Sequence, residues 1–128
     1  MGTEISETAK NFQNTIQWDF HKIKPEWLGA ADFVYSNALD HSYDPPLCLN
    51  QWMLCLKDDG ICIIEHSSGH ENSNELDPFG APIELMPYLV LKWSQGRFFV
   101  TEILNARVIK AELNYLKFLI IRKNQKPL

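Results

Sequence analysis

The chain reads as an α/β domain of three layers, built on a mostly parallel sheet whose edge is closed by an antiparallel strand pair. Three observations predict this. Residues 32–68, DFVYSNALDHSYDPPLCLNQWMLCLKDDGICIIEHSS, run as buried strand, polar turn, amphipathic helix, tight turn and second buried strand. That is the βαβ unit of a parallel sheet. Strand and helix patterns alternate along the rest of the chain, and the two last strand patterns follow each other with only a loop or a turn of helix between them.

Taken in order, GTEIS (2–6) fits the tail of a strand and SETAKNF a short helix or turn. TIQWDFH (15–21) alternates as a strand does and ends in the polar pair Asp19 and His21. KIKPEWLG, with Pro25 and Gly29, is a loop or single helical turn. ADFVYSN is the next strand, with Phe33 and Tyr35 on one face and Val34 between them. Asp44-Pro45-Pro46 starts a helix, because an aspartate N-cap followed by proline in the first turn suits unpaired N–H groups. Leu47, Leu49, Trp52, Met53 and Leu56 give that helix an apolar face, and Lys57-Asp58-Asp59-Gly60 is expected to end it. ICIIEHS is a near-continuous apolar run, as in a strand covered on both faces. A polar loop covers 67–81, then PIELMPYLVLKWSQ predicts a helix interrupted near Pro87 and stopped by Gly96. RFFVTEIL and NYLKFLIIRKN are the final strands, separated by NARVIKAEL.

Composition narrows the function. A chain of 128 residues, 45% apolar, has enough to bury one core. The net charge is −4 and the basic residues form no dense run, which argues against nucleic acid as a partner. No apolar run approaches the roughly 18 residues that span a bilayer. Cys48, Cys55 and Cys62 are odd in number and fall on apolar segments, as buried free thiols of a reducing compartment do. A soluble, cytoplasmic protein without a membrane partner is expected. The half-buried positions expected for Trp18, Trp27 and Trp93 are element ends, whereas Trp52 belongs to the core helix.

Candidate chemistry gathers after the strand at 31–37. Ser36, Asn37, Asp40, His41, Ser42, Tyr43 and Asp44 crowd one turn, at the strand edge where open α/β sheets bind ligands. His66 and His70 flank Ser-Ser-Gly; that spacing suits a metal only on a helix, which Gly69 opposes, so no metal site is expected. They read instead as polar groups on the substrate side, His66 ending its strand with a pKa near neutrality. No Ser/His/Asp or Cys/His nucleophile pattern stands out.

These segments together resemble the class I S-adenosylmethionine-dependent methyltransferases, from that family's second strand onward. DFVYSNALDHSYDP resembles its fourth-strand segment, and CLNQWMLCLKDDGICIIEH the helix, turn and fifth strand that follow, with Gly60 at the second turn glycine and Asp59 in place of the first. RFFVTEIL and YLKFLIIRK resemble its antiparallel sixth and seventh strands. The resemblance implies a truncated Rossmann-like three-layer sandwich that binds S-adenosylmethionine and transfers methyl to a small molecule. It implies Glu4 at the ribose hydroxyls, Asp19 and Phe20 at the adenine, and Ser36 and Asn37 at the methionine side. His41 falls at the family's Asp/Glu-His position, where it bridges strand to helix or lines the cleft.

The family's first strand and its E-x-G-x-G-x-G loop have no counterpart here: the six glycines are Gly2, Gly29, Gly60, Gly69, Gly80 and Gly96. That loop lets backbone approach the cofactor. Its absence implies weakened cofactor binding. Because the first strand is central, hydrogen bonding requires one of three outcomes: the flanking strands pair directly, the first hairpin detaches, or a homodimer mate or partner chain fills the gap. The alternative to an enzyme is a non-catalytic remnant or regulatory subunit with a degenerate cofactor site.

Overall fold

The computed structural model describes residues 1–107 and 112–126; of the loop predicted at 105–113, residues 108–111 lie outside the described residues. Hydrogen bonding divides the strands into two groups. Strands β1 (Gly2–Glu4) and β2 (Thr15–Gln17) form a two-stranded parallel ladder, Thr3 opposite Ile16. Strands β3 (Ala31–Ser36), β4 (Leu56–Ser67), β5 (Phe98–Asn105) and β6 (Leu116–Lys123) form a sheet in the order β3-β4-β6-β5. β3 and β4 are parallel, and β6 runs antiparallel to both β4 and β5. Among the described residues no ladder joins β1 to β3. The flanking strands therefore do not pair directly; the first two strands stand as a ladder of their own, and it is a parallel pair rather than the expected hairpin, with residues 5–14 crossing over between them.

Helix α1 (Pro45–Leu54) starts as its sequence dictates: Asp44 accepts a hydrogen bond from the Leu47 N–H at 3.2 Å. Helix α2 (Met86–Ser94) follows a turn of 3-10 helix at Ile83–Leu85. Pro87 stands in its first turn, so the proline opens this helix rather than interrupting it. Gln95 closes it in the left-handed conformation, φ 55°, with Gly96 behind it at φ 82°.

Two boundaries differ from the sequence reading. β4 begins at Leu56, not after Gly60, and Leu56 already pairs with Ala31 of β3. The 57–60 stretch is a bulge, because the register shifts between Ala31↔Leu56 and Phe33↔Ile61. Gly60 permits it: a Cβ there would lie 3.0 Å from the Asp32 carbonyl oxygen and 3.1 Å from that of Lys57. β2 ends at Gln17 instead of His21, because the chain turns at 18–22, where the Lys22 N–H donates to the Asp19 carbonyl at 3.0 Å.

Both helices pack on one face of the larger sheet. Cys48, Leu49, Trp52 and Met53 of α1 and Met86 and Val90 of α2 meet Cys62, Ile64, Leu119 and Ile121 in one core. Burying each large aliphatic side chain in such a core contributes about 1.5–3 kcal/mol. The opposite face carries Phe33, Tyr35, Ile61, Ile63, Phe118 and Leu104, paired across strands by register. Phe33 is 63% exposed and Tyr35 48%, so this face has no covering layer among the described residues. Trp52 is buried, and Trp18, Trp27 and Trp93 are half-buried at element ends, as expected. The three cysteines are free and buried, and burial pushes the Cys48 thiol up to about 12. Among the described residues no helix is long and apolar enough to cross a membrane.

Candidate functional site

The carboxyl ends of β1, β2 and β3 lie where a parallel sheet places its ligand, and the loops that follow them carry the polar side chains. Glu4 ends β1. Its Oε1 accepts from the Ser6 N–H at 3.0 Å, and that bond holds the carboxyl below the usual carboxylate range. Asp19 follows β2 and lines an open groove of ≈ 390 Å³ with Ile5, Gln17, Trp18 and Lys22. Phe20 beside it does not stand open: its ring packs edge-on against Trp52 at 5.6 Å, and its carbonyl accepts from the Trp52 indole N–H at 2.8 Å. Ser36 ends β3, where its Oγ accepts from the Ala38 N–H at 3.0 Å, and Asn37 is exposed next to it.

A relay that the sequence does not announce ties this region together. His21 Nδ1 lies 2.8 Å from Asp19 Oδ1, and His21 Nε2 lies 2.7 Å from Ser42 Oγ. The same Asp19 oxygen accepts from the His21 N–H at 2.9 Å; this bond first, then the ring, lowers the Asp19 pKa. With Nδ1–H donating to Asp19, Nε2 accepts from the Ser42 hydroxyl, whose oxygen accepts from the Asp44 N–H at 3.0 Å. Every member is then satisfied. The residue types are those of a hydrolase triad, but Ser42 is 1% exposed, so no substrate reaches its hydroxyl. The relay fastens the β1–β2 unit to the turn before α1. Tyr43 stacks on His21 at 3.9 Å and completes the joint.

A second polar group surrounds the end of β4. His66 is 3% exposed; its Nε2–H donates to the Ala81 carbonyl at 2.8 Å, and Nδ1 accepts from the Tyr115 hydroxyl at 3.1 Å. Burial lowers its pKa, so the ring is neutral. His70 lies 5.6 Å away between ring centroids, and its Nδ1 accepts from the Ser67 N–H at 2.8 Å. The two share a cavity of ≈ 10 Å³, about one water in size, with Leu39, Asp40, Ile64, Glu65, Phe79 and Met86. The structure thus brings His66 and His70 together, and Asp19 with the ends of β1 and β2, as two separate groups. Asp40, His41 and Asp77 form a third.

Solved structures share this architecture. A Burkholderia thailandensis 1,6-didemethyltoxoflavin-N1-methyltransferase, solved with 1,6-didemethyltoxoflavin and S-adenosylhomocysteine bound, superposes with a TM-score of 0.67 at 14% identity. The match covers 96% of this chain and 60% of that one. The chain has the fold of the class I S-adenosylmethionine-dependent methyltransferases. Mitomycin 7-O-methyltransferase matches over 84% of this chain and 33% of its own, with a TM-score of 0.60 and 15% identity. The CMeT domain of citrinin polyketide synthase matches over 98% of this chain and 38% of its own, with a TM-score of 0.61 and 10% identity. This chain therefore spans about 60% of the length of the first of these methyltransferases. No family model and no curated protein matches it.

Proposed function

We propose that this chain forms the adenosine-binding portion of an S-adenosylmethionine-dependent methyltransferase that acts on a small molecule in the cytoplasm. The observation that carries the reading is positional: Glu4 ends one and Asp19 follows the other of two parallel strands of a methyltransferase fold, and Asp19 lines an open groove together with Ile5, the residue after Glu4. A carboxylate at Glu4 accepts from both ribose hydroxyls. Asp19 spends Oδ1 on His21 and offers its other oxygen to an exocyclic amine. Phe20 fits less well, since its ring is committed to Trp52. The bound cofactor supplies an electrophilic methyl group on a sulfonium. The chain's own task is to orient that group and exclude water, with Ser36 and Asn37 at the end of β3 on the methionine side. His70 is the substrate-side group in this reading; His66, buried with both ring nitrogens hydrogen-bonded and its pKa lowered by burial, holds the end of β4 in place rather than taking up a proton.

Completion of the site calls for a partner segment that contributes one parallel strand and a glycine-rich turn between β1 and β3. The separate ladders and the longer matched methyltransferases support that occupant. Neither nucleic acid nor a membrane enters the scheme. A second reading, a regulatory subunit that binds no cofactor, is favoured by the commitment of Asp19 to His21 and of Phe20 to the core. Calorimetric titration with S-adenosylhomocysteine, with mass by light scattering on the same sample, separates the two. The enzyme reading expects binding that Glu4→Gln weakens at least tenfold. Absence of heat at millimolar ligand supports the regulatory reading, and a dimer in that sample identifies a second copy as the partner.

A further inference from the structure

We infer that Asp40, His41 and Asp77 form a binding site for a divalent first-row transition cation, which clasps the 67–81 loop to the turn after β3. Asp40 and His41 lie on one turn of 3-10 helix at Leu39–His41, and Asp77 is delivered by the loop. One ligand atom from each, two carboxylate oxygens and His41 Nε2, lies within 4.8 Å of the others. His41 Nε2 is 3.3 Å from Asp77 Oδ1 and 3.8 Å from Asp40 Oδ1. Ligands bound at about 2.0–2.1 Å in a tetrahedron stand about 3.3–3.4 Å apart, so a small contraction of the cluster fits the ion.

An independent observation points to a ligand there. The Asp40 side chain is only 9% exposed, and its Oδ1 has no hydrogen-bond partner among the described residues. A buried carboxylate oxygen without a donor is costly, and it is the oxygen turned toward His41. The remaining oxygens face groups outside the cluster. His70 Nε2 stands 3.6 Å from Asp40 Oδ2, its Nδ1 being an acceptor, and Asn74 Nδ2 donates to Asp77 Oδ2 at 3.3 Å. Each carboxylate therefore presents one oxygen inward; the other is hydrogen-bonded by a neighbour at Asp77 and faced by the His70 ring at Asp40, the outer support that metal-ligating carboxylates receive. The loop is pinned at the same place by the Phe79 N–H, which donates to the Asp40 carbonyl at 3.1 Å.

The donor set selects the ion. One imidazole with two carboxylates suits zinc, manganese or cobalt, whereas magnesium and calcium take all-oxygen sets. Two carboxylates bring two negative charges, which a divalent ion cancels. His41 is 59% exposed, so water can complete the coordination from that side. The site does not depend on the cofactor reading, because none of its ligands is assigned to the cofactor.

Titration of the whole chain with zinc chloride near neutral pH, followed by calorimetry and by amide hydrogen exchange, is the test. The expected result is one equivalent bound, slower exchange in the 67–81 amides, and no response to magnesium. His41→Ala and Asp77→Asn, both at positions exposed enough to leave folding intact by circular dichroism, each weaken binding at least tenfold. His70→Gln weakens it about 10- to 100-fold through the orientation of Asp40. Absence of zinc binding at millimolar metal overturns the inference, as does binding that survives both His41→Ala and Asp77→Asn.

Discussion

Replacing Ser42 by alanine removes one hydroxyl and orphans a buried group, His21 Nε2, at 2.7 Å, and a part-buried one, the Asp44 N–H, at 3.0 Å. Ser42 is 1% exposed and His21 5%, so water does not readily replace the lost partner. A buried polar group stripped of its partner costs about 1–3 kcal/mol. The two losses share one network and do not simply add, so Ser42→Ala is expected to cost about 1–3 kcal/mol. Asp19→Asn is the contrast. The amide oxygen that this change introduces still accepts from the His21 N–H groups at a site 26% exposed, and the cost stays below about 1.5 kcal/mol. The double variant should cost less than the sum, since His21 is already loosened by either change. Urea unfolding monitored by far-ultraviolet circular dichroism measures the three costs, and limited proteolysis of 1–21 reports whether the β1–β2 unit comes away first. A cost below about 0.5 kcal/mol for Ser42→Ala, the ordinary range of surface substitutions, would refute the relay as the fastening of that unit.

Two further outcomes follow from single residues. Asp44→Ala deletes the N-cap of α1 and is expected to lower stability by about 0.5–2 kcal/mol in the same unfolding assay, while Asp44→Asn costs much less. His66 sets a pH dependence. Its folded pKa lies below the unfolded value of about 6.5, so its contribution to stability is complete above that pH and falls as pH drops toward the folded value, because only the unfolded chain takes up the proton. Asp19, lowered instead from its carboxylate value, loses its contribution only below about pH 3.9, well outside that window. His66→Gln, with an amide to donate to the Ala81 carbonyl, should flatten the slope between about pH 6.5 and 5 if thermal melts are compared across that range.

Local chemistry made much of the architecture readable. Asp44-Pro45-Pro46 announced α1 because capping and proline geometry act within a few residues, and the apolar runs at 31–36 and 61–67 found their strands for the same reason. Lys57-Asp58-Asp59-Gly60 misled because a bulge and a turn use the same residue types; only the pairing partner, Asp32 close over Gly60, tells them apart. Pro87 was equally ambiguous between a break and a helix start. The site was legible as a region but not as a geometry. Asp19 and His21 were visible as a polar pair, yet Ser42 is 21 residues from His21 and meets it only through the tertiary fold. Likewise Asp77 reaches His41 by way of a loop whose sequence carries no ligand spacing. His66 looked like an accessible strand-end base, and its burial comes from Ala81 and Tyr115, both remote in the chain.

The claim that the carboxyl ends of β1 and β2 hold the adenosine half of a cofactor, and that of β3 its methionine side, is tested most directly by locating the ligand. Amide chemical shifts of the isotope-labelled chain, recorded as S-adenosylhomocysteine is added, do this even for weak binding. The account predicts shifts concentrated at residues 4–6, 17–22 and 36–37, and largely abolished by Glu4→Gln. Shifts confined to the open sheet face around Phe33 and Tyr35, or none at millimolar ligand, would contradict it.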